Sequence, residues 1–269
     1  MSIQEASARI SSPRANVSGV GISAINMQEA VSATDRLIQS KEKGYICVTG
    51  VHGVMEAQKD PKFKQILNSS YLTTPDGMPT VWVGRFQGLR MERVYGPDFM
   101  IAMCKVGVAH GYRHFLYGGN NGVAEQLKKS LEKRIPGIQI VGTYTPPFRP
   151  LNETESADLI SMVRESGADV MWVGLSTPKQ ERFMAEYLER LDVRVMVGVG
   201  AAFDIHTGHI DDAPAWMKQA GLQWFHRLLQ DPKRLWKRYL FNNPRFVYKI
   251  LLQLCGIRKF PLATDSAFY

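Results

Sequence analysis

Short apolar runs alternate with helical patterns along most of this chain. Residues 45–49, 71–73, 114–117, 138–144, 170–174 and 193–197 are apolar runs of strand length, and read as strands. Between them, apolar positions recur at helical spacing over 54–68, 79–86, 97–110, 123–134, 153–166 and 179–191, the first interrupted at Asp60-Pro61. This alternation predicts an α/β fold, a Rossmann-like and mostly parallel sheet with helices on both faces, over residues 19–213. Ligands of such sheets bind beyond the C-terminal ends of the strands. Residues 1–18 are polar and Ser-rich and are expected to form a flexible N-terminus. From Pro214 the strand signal stops. Helices at 214–220, 222–230, 232–241 and 244–255, separated by Gly or Pro, predict a C-terminal helical appendage over 214–269.

Charge distinguishes the two parts. The chain has 269 residues and a formal net charge of +8. Residues 221–269 hold 9 Lys and Arg against 2 Asp and Glu, leaving 24 against 23 for the rest. A basic tail calls for an anionic partner: lipid head groups, a diphosphate or nucleic acid. In it, Trp224, Phe225, Leu228, Leu229, Leu235, Trp236, Tyr239, Leu240 and Phe241 interleave with Arg227, Lys233, Arg234, Lys237 and Arg238. That pattern suits a helix in a membrane interface, or helices packed on the body with a solvated basic face. No nucleic-acid motif accompanies it, so nucleic acid is not expected as a partner. No run of about 18 apolar residues is present, and the first residues carry no apolar signal-peptide core. Cys47, Cys104 and Cys255 form no metal or disulfide pattern and read as reduced thiols, as in a cytoplasmic protein.

Candidate chemistry gathers at the strand ends. Asp76, in Thr74-Pro75-Asp76-Gly77-Met78-Pro79, is either a general base or the cap of the helix starting at Pro79. In Gly174-Leu175-Ser176-Thr177-Pro178-Lys179-Gln180, a strand-to-helix turn suits a diphosphate, with Lys179 adding charge and Gln180 a hydrogen bond, or is simply a capped turn. Gly198-Val199-Gly200-Ala201-Ala202-Phe203-Asp204 resembles a nucleotide-binding glycine turn without the third Gly, and Asp204 is placed to accept from ribose or base. Gly118 and Gly119 form a further glycine turn. The chain has no Asp-x-Asp and no HExxH, so no metal site is expected. A nicotinamide-dependent oxidoreductase built on Gly198–Gly200 and a non-catalytic membrane-binding adaptor are the competing classes. The incomplete glycine fingerprint counts against the first.

Five segments taken together resemble one family. Residues 74–79, Glu92-Arg93-Val94-Tyr95-Gly96-Pro97-Asp98, residues 173–181, residues 198–204 and Ala213-Pro214-Ala215-Trp216-Met217 look like glycosyltransferase family 26, the WecG/TagA/CpsF type, in the family's order. The resemblance implies inverting, metal-independent transfer from a UDP-sugar to a polyprenyl-diphosphate-linked saccharide, in cell-surface polysaccharide synthesis, with no cofactor. It implies Asp76 as base and Gln180 as an active-site polar residue. It implies a UDP cradle including Gly118, Gly119, Gly174, Pro178, Lys179, Gly198, Gly200, Ala201 and Asp204. The appendage would bring the enzyme to the cytoplasmic face of the inner membrane and close the site, with Arg227, Arg234 and Arg238 on the acceptor diphosphate. An apolar tail also allows a homo-oligomer. The family's Thr-x-Asn pattern is met at Thr49 but not at its Asn, and His52 stands as the substitute contact. That departure resembles the exopolysaccharide branch, and makes UDP-glucose a rival to UDP-N-acetylmannosamine as donor.

Overall fold

The apolar runs do pair into one sheet, and the sheet places every strand end on one edge. The computed structural model describes residues 13–262. In chain order the elements are β1 (Arg14–Val17), β2 (Val20–Ser23), α1 (Met27–Gln39), β3 (Gly44–Thr49), α2 (Val51–Ala57), α3 (Pro61–Ser69), β4 (Leu72–Pro75) and α4 (Met78–Phe86). There follow α5 (Gly96–His110), β5 (Arg113–Gly118), α6 (Val123–Arg134), β6 (Gln139–Tyr144), α7 (Glu153–Ser166), β7 (Val170–Gly174), α8 (Lys179–Tyr187), β8 (Val195–Gly198) and α9 (Ala202–His206). The chain then continues as α10 (Ala215–Gln219), α11 (Gln223–Gln230) and α12 (Pro232–Leu254). Six strands form a sheet in the order β4-β3-β8-β7-β5-β6, with every neighbour parallel.

Strand alternation sends side chains into two cores. Tyr45, Cys47, Phe115, Tyr117, Met171 and Val173 pack on one face with α2, α3, α7, α8 and part of α12. Ile46, Leu116, Val170, Trp172, Val195 and Val197 pack on the other with α1, α5, α6 and α9. Helices on both faces follow directly from strands that are apolar on both sides. Cys47 and Cys104 are buried free thiols, whereas Cys255 is exposed at the end of α12.

Three expectations are corrected. The N-terminal segment is ordered at least from β1: Ala15, Val17, Val20 and Ile22 are fully buried, and Ser18 and Gly19 turn the hairpin with φ of 52° and 82°. This antiparallel hairpin lies beside edge strand β4, where the Ser23 hydroxyl accepts from the Thr73 N–H at 3.1 Å. It thereby covers an edge that would otherwise be open. Residues 1–12, the rest of that expected flexible segment, lie outside the described residues, as do 263–269.

The two helices expected at 232–241 and 244–255 are one, α12, with Pro244 inside it. Pro244 sits on the exposed side, as does Leu240, whose carbonyl loses its partner and faces water. Leu235, Asn242, Phe246 and Ile250 form a buried stripe that runs past the proline on the opposite side. Burial of that stripe offsets a proline penalty of about 3 kcal/mol. Helices α1 and α9 and the hairpin were not read from the pattern.

The glycine turn at Gly118 answers to protein backbone. Gly118 pairs in register with Gly174, and a Cβ on Gly118 would lie 2.6 Å from the Gly174 carbonyl oxygen. Its φ of 120° also excludes other residues. Gly118→Ala is therefore expected to cost at least about 2 kcal/mol, since neither backbone can yield without breaking the β5–β7 ladder. Urea unfolding at unchanged m-value measures it; a midpoint equal to the parent's would contradict this packing.

Candidate active site

Parallel strands bring the ends of β3, β4, β7 and β8 to one edge, where a cavity of about 720 Å³ opens. Its floor is the turns after these strands, and its other walls are α4, the coil before α5, and α11 and α12 of the appendage. Asp76, Gln180, His52, Gly200, Ala201, Arg227, Arg234 and Arg238 all line it.

Asp76 directly follows β4. Its N–H donates to the Thr49 carbonyl at 3.1 Å, which extends the β3–β4 pairing one residue past the strand. The carboxyl does not cap α4: Gly77 is the N-cap, with no side-chain capping bond. Instead Oδ1 accepts from the Gly96 N–H at 3.2 Å, the first amide of α5. No protein group among the described residues bonds to Oδ2, which faces Gly50. Burial raises the Asp76 pKa, opposed by the guanidinium of Arg93, the Gly96 amide and Arg227, while Asp98 adds to the rise. The carboxyl is thus held on one oxygen and available on the other, with its proton affinity raised, as a general base requires.

The Arg93 guanidinium caps this arrangement. Its Nε donates to the Asp76 carbonyl, its Nη2 to Gln223 Oε1 of α11, and it stacks 4.3 Å above the Tyr95 ring. Tyr95 in turn donates to Asp212 Oδ1 at 2.8 Å, and Lys218 pairs with Asp212 Oδ2 at 2.8 Å. Arg93 had been assigned no role from sequence beyond its place in a matching segment. It lies in coil at 89–95, where periodicity gives no orientation. Only its presence between Asp76 and a Pro-started helix could have flagged it.

Gln180 is buried behind the cavity floor. Its Oε1 accepts from the Gly200 N–H at 3.0 Å, and its Nε2 donates to Glu181 Oε1 at 3.1 Å. Glu181 is itself buried, accepts from Thr177 Oγ1 at 2.8 Å, and is pushed up by burial. The pair therefore fixes the Gly200–Ala201 turn against the Thr177 turn. Spacing along residues 173–181 gives Glu181 no role of its own.

His52, on α2, meets the appendage. Its Nδ1 lies 3.4 Å from Asn242 Nδ2 of α12. Burial and the charge of Arg238 bring the His52 pKa down to about 4, so the ring is neutral at neutral pH. Thr49 is buried beneath the floor and does not line the cavity.

The remaining candidates separate. Gly118, Gly119 and Gly174 lie behind the floor, with the Phe203 ring 2.9 Å from where a Gly174 Cβ would stand and 3.4 Å from a Gly119 Cβ. Gly198 is backed by Gln180 and Met184. Pro178 and exposed Lys179 begin α8 outside the lining, and half-buried Asp204 sits on α9 outside it too.

Charge in the cavity comes from the appendage. Arg227 makes no hydrogen bond or ion pair with a described side chain, and Arg238 keeps a buried Nε without a partner. Arg234 is held by Asp231. Two guanidinium groups therefore line the cavity without a direct ion-pair partner among the described residues, which suits a phosphate-bearing ligand. Among the described residues, no three His, Cys, Asp or Glu side chains group as metal ligands.

Comparison with known proteins places the chain in a family. Residues 15–259 match the family described as "Glycosyl transferase WecG/TagA/CpsF family". An N-acetylglucosaminyldiphosphoundecaprenol N-acetyl-beta-D-mannosaminyltransferase of Bacillus subtilis (strain 168) is 30% identical over 197 residues, 72% of this chain and 74% of the relative. A protein of the same description from Bacillus spizizenii is 30% identical over 223 residues, 82% of this chain and 84% of the relative. With its sheet, its strand-end carboxylate and this match over nearly its whole length, the chain belongs to the WecG/TagA/CpsF family of glycosyltransferases.

Proposed function

We propose that the protein transfers a hexosyl group from a UDP-sugar to a saccharide hydroxyl on a polyprenyl diphosphate, with inversion and without a metal ion. The observation that carries this is one cavity shared by Asp76, the Gly200–Ala201 turn and the appendage arginines. Asp76 Oδ2 takes the proton of the attacking hydroxyl. The acceptor oxygen bonds to the anomeric carbon as the bond to the UDP phosphate breaks, and UDP departs with that electron pair. The Gly200–Ala201 turn, fixed by Gln180, holds the donor close to backbone. Arg227 and Arg238 face phosphate charge, the part that a metal plays in other transferases. The relatives act on an N-acetylglucosaminyl-diphosphoundecaprenol acceptor with an N-acetylmannosaminyl donor group. We place this chain in the same acceptor class in cell-surface polysaccharide synthesis, with UDP-N-acetylmannosamine or UDP-glucose as donor.

We also place the protein at the cytoplasmic face of the membrane. No helix among the described residues is long and apolar enough to cross it. Trp236, Leu240 and Phe241 of α12 are exposed, point away from the cavity lining, and adjoin Lys233 and Lys237. Such a face suits an interfacial helix.

Replacing Asp76 with Asn should lower kcat by about a thousandfold while leaving UDP affinity, read by calorimetry, within a few-fold. Turnover near that of the parent would remove Asp76 as the base. Because the Asp76 pKa is raised, the carboxylate takes up its proton at a higher pH than an ordinary aspartate. The rate should therefore begin to fall on the acid side above the usual aspartate range near pH 4, and an acid limb at or below it would contradict the assignment. Changing Trp236, Leu240 and Phe241 together to Ser should release the protein from anionic vesicles, with melting temperature held within a few degrees. Full retention on sedimented vesicles would refute the anchor.

A further inference from the structure

The cavity does not end at the arginines. Beyond them it is lined by Trp82 and Phe86 of α4 and by Val247, Leu251 and Leu254 of α12. Trp82 and Phe86 lie one turn apart on the helix that begins just past Asp76, about 6 and 12 Å along its axis from Met78. Leu251 lies 13 residues beyond Arg238, about 20 Å along α12. Two helices thus lead from a carboxylate and a cluster of guanidinium groups to a wholly apolar stretch.

The two walls are clamped to the same point. The Asn16 carbonyl of β1 accepts from Gln87 Nε2, at the end of α4, and from Gln253 Nε2, near the end of α12, each at 2.7 Å. The Asn16 N–H donates back to Gln87 Oε1 at 2.9 Å, and the Ser18 N–H to Gln253 Oε1 at 2.8 Å. The hairpin therefore sets the spacing between the walls before any ligand arrives. Despite this, the walls leave apolar surface uncovered: Phe86 is 77% exposed and Leu251 55%.

We infer that this groove between α4 and α12 binds the first isoprene units of the acceptor lipid. The inference rests on the transferase reading above. Along α4 the carboxyl comes before the apolar wall, and along α12 the cations come before it. A saccharide, a diphosphate and an isoprenoid chain follow the same order in the acceptor, so the chain would run from the bilayer along the groove to the site. The groove would give the enzyme a contact with lipid chemistry that is separate from the Trp236 face, and would select polyprenyl diphosphates over free sugar diphosphates.

The test compares farnesyl diphosphate with inorganic diphosphate, titrated by calorimetry into the full chain without membranes. The parent should bind farnesyl diphosphate about tenfold or more tightly than diphosphate, from burial of a few methylene equivalents. The double variant F86S/L251S should reduce that preference to about twofold or less, with diphosphate and UDP affinities unchanged. Equal affinities in the parent, or a preference that survives in the variant, would overturn the inference. So would a smaller species in sedimentation of the variant with ligand preference intact, which would assign the groove to a second copy of this chain. Retained farnesyl preference in a protein that transfers no sugar would sink the transferase reading and leave the groove standing. Transfer without the preference would do the reverse.

Discussion

The bond from the Asp76 N–H to the Thr49 carbonyl holds the site together. It is the last rung of the β3–β4 pairing, so the position of Asp76 is inherited from the buried sheet and not from a loop. The Gly96 amide then fixes one carboxyl oxygen, and the other is left toward the cavity. A carboxyl placed in this way needs little side-chain ordering, and its direction is set by two backbone groups from different elements. Burial raises its proton affinity, and Arg93, the Gly96 amide and Arg227 oppose that rise.

Those opposing charges tie the carboxyl to the appendage. Arg93 reaches the Asp76 carbonyl with one nitrogen and Gln223 of α11 with another. Arg227 comes from α11 itself, and Arg238 from α12 lowers the His52 pKa. α11 fully buries none of its residues; such polar bonds, the Trp224 ring lying 5.6 Å from that of Tyr239 on α12, and its short connection with α12 hold it in place. The α12 stripe supplies the apolar anchor that α11 lacks. Loss of that anchor would withdraw cations from the cavity and alter the environment of the carboxyl together.

Much of this was legible in the sequence, for definable reasons. Strands β3, β5, β7 and β8 are mostly apolar on both faces, which is the signature of a parallel sheet, and such a sheet gathers strand-end residues without further information. Asp76, Gly200 and Ala201 follow strands in the sequence, and the structure brings all three to one cavity. The hairpin was hidden because its strands have four residues each and interleave Arg14 and Asn16 with buried positions. Pro244 hid the continuity of α12, since a local rule about proline cannot register a stripe of contacts on the far side of the helix. Gly118, Gly119 and Gly174 had the pattern of turns that admit a ligand, but a glycine admits any close approach. Here the neighbours are the Gly174 backbone, Val123 and Phe203. Arg93 and Gln223 lie 130 residues apart, and their meeting is a product of the tertiary fold alone.

The polar contact between α2 and α12 has a part that burial alone would not assign. Asn242 is buried within a stripe otherwise made of Leu235, Phe246 and Ile250, opposite a His52 ring that stays neutral. A fourth apolar residue would pack there at less desolvation cost. An apolar stripe, however, tolerates a slide of one turn along its partner, whereas an amide that must meet a ring nitrogen does not. A slide of one turn is about 5.4 Å, enough to carry Arg238, four residues from Asn242, away from its position over the cavity. The Asn242–His52 contact is met in the register that also brings Arg238 to the cavity.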